Sequence, residues 1–278
     1  MNQASVKFLK WTPLYEEEKP FQIFGDLLEE SVDKRKTNLT WEEAQIQVQD
    51  LRDDAQSYRP DSHGFAVCHL PGFTQLSDRA IISDEYIPVI KKMLKAELED
   101  VGTMFAFGWR IRESNSEVKA GSRINFGDQT QPLLPSNYAH IDTSPISVIQ
   151  RIQQSFPNDE AKILRQRVRA VKYPLTHPVD EWPLAVCDGT TVSPDDLIET
   201  DSIRQGSVST HYYVRHNPGQ RWYFLNRQTP EEALIFKHFD SKPGVEAPYT
   251  IHSSIKQLWP VENPRPRQSI ECSDSIPF

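Results

Sequence analysis

His140, Ile141 and Asp142 form a His-x-Asp triplet, and residues two apart in an extended chain point to the same side. An imidazole and a carboxylate presented together in this way can grip one metal ion. A second imidazole brought in from elsewhere would leave three positions of an iron(II) ion open, enough for a chelating keto acid and then dioxygen. His252, within the β-branched segment Tyr249 to Ile255, is the candidate for that third ligand. Further on, Arg267-Gln268-Ser269 alternates so that a guanidinium and a hydroxyl share one face. A buried guanidinium matches a carboxylate with two parallel hydrogen bonds, and the serine adds a third, which suits the far carboxylate of 2-oxoglutarate.

Each assignment has a plainer rival. Asp142 also stands where it could cap a helix opening near Ser144. Arg267 could instead bridge to an acid such as Glu262 or Glu271. The other six histidines, His63, His69, His177, His211, His216 and His238, read as ordinary hydrogen-bonded polar groups.

The elements that must position these residues are mostly short strands. Ala44, Ile46 and Val48 alternate with glutamines, and Phe65 to Leu70 gives a second strand, the two expected to form an N-terminal β layer. Ser83 or Asp84 can cap a helix that repeats Tyr86, Ile90, Met93 and Leu94 at helical spacing. Met104 to Ile111 reads as a strand, and Ser144-Pro145 opens a second helix just after the His-x-Asp triplet. Strands then follow at Val168 to Tyr173, Leu184 to Cys187, Ser207 to Arg215, Trp222 to Leu225, Leu234 to Phe239, Thr250 to Ile255 and Ser269 to Cys272. Brief helical turns interrupt them at Ser193 to Asp196 and Thr229 to Glu232. Scattered prolines, 21 in all, argue against a helical bundle. The fold class expected is mainly β, a double-stranded β-helix or jelly roll with flanking helices. It is read as one domain over residues 1–278 with an N-terminal strand and helix extension.

Composition limits the partners. A formal charge of −8 with no basic run disfavours nucleic acid. Met1 to Leu14 lacks the apolar stretch of a signal peptide or membrane span, so the expectation is a cytoplasmic protein without membrane contact, monomeric or homodimeric. Cys68, Cys187 and Cys272 are read as buried free thiols.

His140-Ile141-Asp142, His252 and Arg267-Gln268-Ser269, in this order, resemble the iron(II) and 2-oxoglutarate oxygenases of the jelly-roll fold. Pro183 to Asp188, Gln220 to Leu225, Thr229 to Glu232 and Lys237-His238-Phe239-Asp240-Ser241 are similar to the fungal group that includes gibberellin-desaturase and cephem-methoxylase-like proteins. The likeness runs from about Asn38 to the end. It implies Fe(II), 2-oxoglutarate and O2 as cofactors, and hydroxylation or desaturation of a small-molecule secondary metabolite coupled to formation of succinate. Related halogenases carry a small residue at the aspartate position, so Asp142 argues against halogenation. One departure is Ala170-Val171-Lys172-Tyr173-Pro174, where that group usually has Asn-Val-Trp-Arg-Pro. It leaves ring formation or a redox-neutral isomerisation open as other chemistries, beside a non-catalytic binding protein. Lys172, Tyr173, Tyr212, Arg215, Trp222 and Tyr223 are the candidate substrate contacts, an aromatic and basic set suited to an amphipathic anion.

Overall fold

The computed structural model describes residues 2–27, 29–73, 78–99, 101–102, 104–115, 128–176, 179–204 and 206–277, except for the side chains of 107, 172–176 and 273–277. Among these residues two β-sheets make up most of the structure. The larger has ten strands in the order Lys256–Gln257, Asn2–Leu9, Trp41–Asp50, Trp222–Phe224, Leu184–Cys187, His252–Ser254, His140–Ile141, Ser207–Val214, Leu197–Arg204 and Phe21–Phe24. The smaller orders Phe65–His69, Glu232–Asp240, Val168–Thr176, Gln268–Pro277 and Phe105–Glu113, all antiparallel. Strands adjacent in space are mostly distant in sequence.

Alternation explains the faces. In Trp41–Asp50, Ile46 and Val48 are buried while Gln45, Gln47 and Gln49 are exposed. Leu184 and Val186 from the larger sheet share a core cluster with Phe65, Leu234 and Phe236 from the smaller. Burial of each such side chain contributes about 1.5–3 kcal/mol, so this cluster ties the sheets together around the gap where the site lies.

One close approach fixes that gap. Gly64 has φ +91°, and a Cβ there would stand 2.1 Å from Thr250 Oγ1. The Lys237 N–H donates to the Gly64 carbonyl at 2.8 Å, and the Thr250 N–H donates to the Lys237 carbonyl at 2.8 Å. The strand carrying His238 is thus bonded to the segment leading into His252.

Several expectations need correction. Trp41–Asp50 and Phe65–His69 do not form one layer; they join different sheets. The helical segment expected around Tyr86 opens at Arg79, with Asp78 accepting from the Ala80 N–H at 2.7 Å, so neither Ser83 nor Asp84 is its cap. A wide turn over Ile82–Tyr86 then leads into Ile87–Glu97, whose Ile90, Met93 and Leu94 pack on the smaller sheet. Thr229 to Glu232 is a tight turn, closed by the Glu232 N–H on the Thr229 carbonyl at 3.1 Å, and it feeds straight into a strand. Asn2–Leu9, Phe21–Phe24 and Leu197–Arg204 were not anticipated as strands. The three cysteines are buried and free, and burial pushes the Cys187 thiol up to about 12.

Candidate metal centre and cleft

His140 lies directly opposite His252 across an antiparallel pair, with Tyr213 as its neighbour on the other side. Its strand is only His140–Ile141, and Ile141 is fully buried in the core of the larger sheet. The chain then leaves the sheet at Asp142 and enters the Pro145–Ser155 helix. Ser144 caps that helix, its hydroxyl accepting from the Ser147 N–H at 3.3 Å. The capping role considered for Asp142 is therefore taken by Ser144, and the Asp142 carboxylate faces the histidines.

One ligand atom each from His140, Asp142 and His252 lies within 4.8 Å of the others. His140 Nε2 is 3.2 Å from Asp142 Oδ1, and His252 Nε2 is 3.6 Å from Oδ2. His140 Nδ1 sits 2.6 Å from the Tyr138 carbonyl, an acceptor, so Nδ1 carries the proton and Nε2 presents its lone pair to the cluster. Both imidazoles are buried, whereas the Asp142 side chain is 32% exposed and marks the open side.

A third imidazole stands beside the cluster. His238 Nε2 is 3.7 Å from Asp142 Oδ2, and its ring stacks on His252 with centroids 5.1 Å apart and an interplanar angle of 16°. Reading His238 as an ordinary polar group overlooked this position. The sequence signal available was its period-2 relation to Phe236, which also packs on His252, at 4.7 Å.

Arg267 is buried next to the centre. Its Nε donates to Ser269 Oγ at 3.1 Å, and one Nη donates to Ser254 Oγ at 2.9 Å and to the Trp182 carbonyl. Burial, with some help from nearby Arg112 and opposed by Glu271, pulls the guanidinium down to about 10, still cationic at neutral pH. Arg112 pairs with Glu271 at 2.7 Å. Burial works against its charge, but Glu271 and Asp142 outweigh this and raise its pKa. Arg112, Ser136, His140, Leu184, Phe236, His252, Ser254, Arg267 and Glu271 line one narrow cleft. Sequence reasoning found Arg267 and Ser269 but missed Ser254 and Arg112, which reach the cleft only through strand pairing.

The proposed substrate contacts fare differently. Trp222 is buried in the core of the larger sheet, edge-on to Phe8, and Tyr223 packs among Tyr58, Phe65 and Phe236. Arg215 is exposed, its guanidinium 5.4 Å from the Trp11 ring, and Tyr212 packs half-buried against the same core as Trp222. None of the four lines the cleft. Trp222 and Tyr223 are adjacent on a strand buried on both faces and so enter two different core clusters, while Arg215 lies just past the end of its strand in solvent. The side chains of Lys172 and Tyr173, like all of His177, lie outside the described residues. Trp41, Tyr138, His211 and Tyr213 form the aromatic wall beside His140 instead, with Tyr138 and Tyr213 each 4.4–4.7 Å from Trp41. Burial, reinforced by His140, holds the His211 imidazole down at about 4, so it is neutral at physiological pH.

Comparison with known proteins agrees with this geometry. The family model described as YDMC, oxidoreductase/YMDC permease-like domain, matches residues 6–274. Among the described residues no helix is long and apolar enough to cross a membrane. The Fe(II)/2-oxoglutarate-dependent dioxygenase nvfI of Aspergillus novofumigatus is 28% identical over 246 residues, 85% of this chain and 84% of that protein. The hydroxylase/desaturase CTB9 of Cercospora beticola is 28% identical over 249 residues, covering 84% and 76%. The hydroxylase/desaturase poxK of Penicillium oxalicum is 25% identical, covering 85% and 80%. A solved structure of the iron and alpha-ketoglutarate-dependent endoperoxidase NvfI superposes with a TM-score of 0.84 at 24% identity, over 99% of this chain and 97% of that one. The mainly β jelly-roll fold is thereby shown.

Proposed function

Given that the chain belongs to the oxidoreductase/YMDC permease-like domain family, we propose that it is an iron(II)- and 2-oxoglutarate-dependent dioxygenase with His140, Asp142 and His252 as its metal ligands. The observation that carries this reading is the convergence of two imidazoles and one carboxylate, the imidazoles lining a cleft that also contains a buried arginine. Two nitrogens and one oxygen are the donor set that suits iron(II), and the His140 tautomer is already set for ligation. The cleft thus fits the group.

Arg267 holds the far carboxylate of 2-oxoglutarate, its plane fixed by the bonds to Ser269, Ser254 and Trp182. Arg112 and Glu271 neutralise each other in the wall, so Arg267 remains the cation that the ligand meets. Leu184 and Phe236 keep this end of the cleft apolar and restrict water. When bound, iron(II) with 2-oxoglutarate supplies the dioxygen activation that oxidises a C–H bond, the keto acid leaving as succinate and carbon dioxide. The substrate is a small molecule, hydroxylated or desaturated, of the secondary-metabolite class. It approaches from the exposed side of Asp142, beside the wall formed by Trp41, Tyr138 and Tyr213. The chain acts as one folded unit, supported by the cluster shared between the sheets.

Ring-forming oxidation is the second reading, favoured by the superposition on a protein named an endoperoxidase. Oxygen-isotope incorporation into the product separates the two: one oxygen atom or none for hydroxylation or desaturation, both atoms of one dioxygen for an endoperoxide. The test of the centre itself is substitution. His140→Ala and His252→Ala each abolish iron binding and succinate formation; retained turnover in either variant would contradict the assignment.

A further inference from the structure

His238 belongs to the sheet opposite the metal-ligand strands, and the way it gets there is unusual. In the pairing of Glu232–Asp240 with Val168–Thr176, Lys237 stands opposite Val171 and Phe239 opposite Ala170, which leaves His238 as the extra residue of a β-bulge. Bulges re-aim a side chain locally. This one sits between a ring contact to Phe236 at 5.3 Å and the stacked ring of His252, and the imidazole is 5% exposed.

The two oxygens of Asp142 have different nearest neighbours: Oδ1 faces His140, whereas Oδ2 lies between His252 Nε2 at 3.6 Å and His238 Nε2 at 3.7 Å. Oδ1 is 3.2 Å from His140 Nε2, close to the roughly 3.0 Å that separates two donors each about 2.1 Å from one metal at a right angle. Oδ2 is 3.7 Å from His238 Nε2, and reaching a hydrogen bond of about 2.9 Å needs less than about 1 Å of movement by a partly exposed carboxylate. A carboxylate that donated both oxygens to the metal would fill a position that the keto acid or dioxygen requires.

We propose that His238 is a positioning residue whose imidazole donates its Nε2–H to Oδ2 of Asp142, holding that carboxylate to a single metal bond through Oδ1. The inference rests on the metal reading above. It gives His238 a role through Asp142, separate from the ligands themselves, of the kind that outer hydrogen-bond partners of ligating carboxylates commonly play.

The test uses cobalt(II) alone, titrated into the intact chain and followed by its visible d–d absorption, with thermal melting as the control for folding. His238→Phe keeps a ring on His252 but removes the donor, and His238→Gln restores an N–H at a similar reach. The Phe variant is expected to bind cobalt about 10- to 100-fold more weakly and with an altered band shape, while the Gln variant recovers most of both. Wild-type affinity and band shape in the Phe variant would overturn the inference, as would equal loss in both variants at unchanged melting temperature. Absence of any cobalt band in the unaltered chain would overturn the metal reading and this inference with it.

Discussion

The Glu232–Asp240 strand serves two buried polar clusters, and they are built on opposite plans. At Phe236 and His238 it faces the His140, Asp142 and His252 centre, where lone pairs converge beside a cleft. At Lys237 and Asp240, both side chains fully buried, it closes an ion network instead. Lys237 donates to Asp240 at 2.7 Å, Arg167 binds both Asp240 oxygens at 2.9 and 2.6 Å, and Arg167 also reaches Asp61 at 2.7 Å. Each charge in that network meets an opposite one at contact distance, which satisfies it structurally and leaves it nothing to offer a ligand. Buried charge alone therefore does not mark a site; convergence of donors on an accessible side does.

The network side should fail through stability. Asp240→Asn is expected to cost about 3 kcal/mol of unfolding free energy, because Lys237 and Arg167 lose their shared anion in a dry setting. Chemical denaturation measures this, and the folded variant still binds cobalt(II). Burial raises the Asp240 carboxyl, but Arg167 and Lys237 outweigh it and hold the carboxyl below the usual carboxylate range. Asp61 is lowered in the same manner by Arg167 and Lys237, again against burial. A depressed folded-state value means that the stabilisation is complete above the unfolded value of about 3.9 and fades as the pH falls below it. Denaturation midpoints of the wild type should fall over that acid range, and those of Asp240→Asn should fall less.

The cleft side should fail through ligand affinity. Arg267→Ala is expected to raise the 2-oxoglutarate requirement by about 10- to 100-fold while iron(II) binding persists, as removal of charge-assisted hydrogen bonds commonly does. Kinetics against 2-oxoglutarate concentration check it, and equal loss of iron would place Arg267 in the metal centre's framework instead. The smallest effect belongs to Arg215→Ala. An exposed cation over the Trp11 ring contributes about 0.5–1 kcal/mol, so melting shifts slightly and turnover is unchanged.

Much of the fold was legible because the larger strands and the Ser144-capped helix depend on local alternation and capping. His140, Asp142, His252 and Arg267 were legible because their spacing is itself a chemical pattern. What escaped the sequence is non-local. Ser254 and Arg112 reach the cleft, and His238 the metal centre, through pairing between strands far apart in the chain, and the bulge that carries His238 is invisible until its partner strand is known. The aromatic set at Trp222 and Tyr223 misled because a buried core strand and a pocket wall favour the same residues. Asn2–Leu9 carries a local signal that the sequence reading passed over, Ala4, Val6 and Phe8 alternating with Ser5 and Lys7, and its eight residues pair with Trp41–Asp50. At Thr229 to Glu232 the cap-and-proline signature describes a turn as well as a helix start, and the strand that follows decides between them.

The most direct measurement is made without oxygen. Iron(II) and 2-oxoglutarate added to the purified chain should produce a weak visible charge-transfer band that requires both additions and is lost in His140→Ala, Asp142→Ala and His252→Ala. A chain that binds iron(II) and 2-oxoglutarate with no such band, or a band that survives loss of these side chains, would contradict the account.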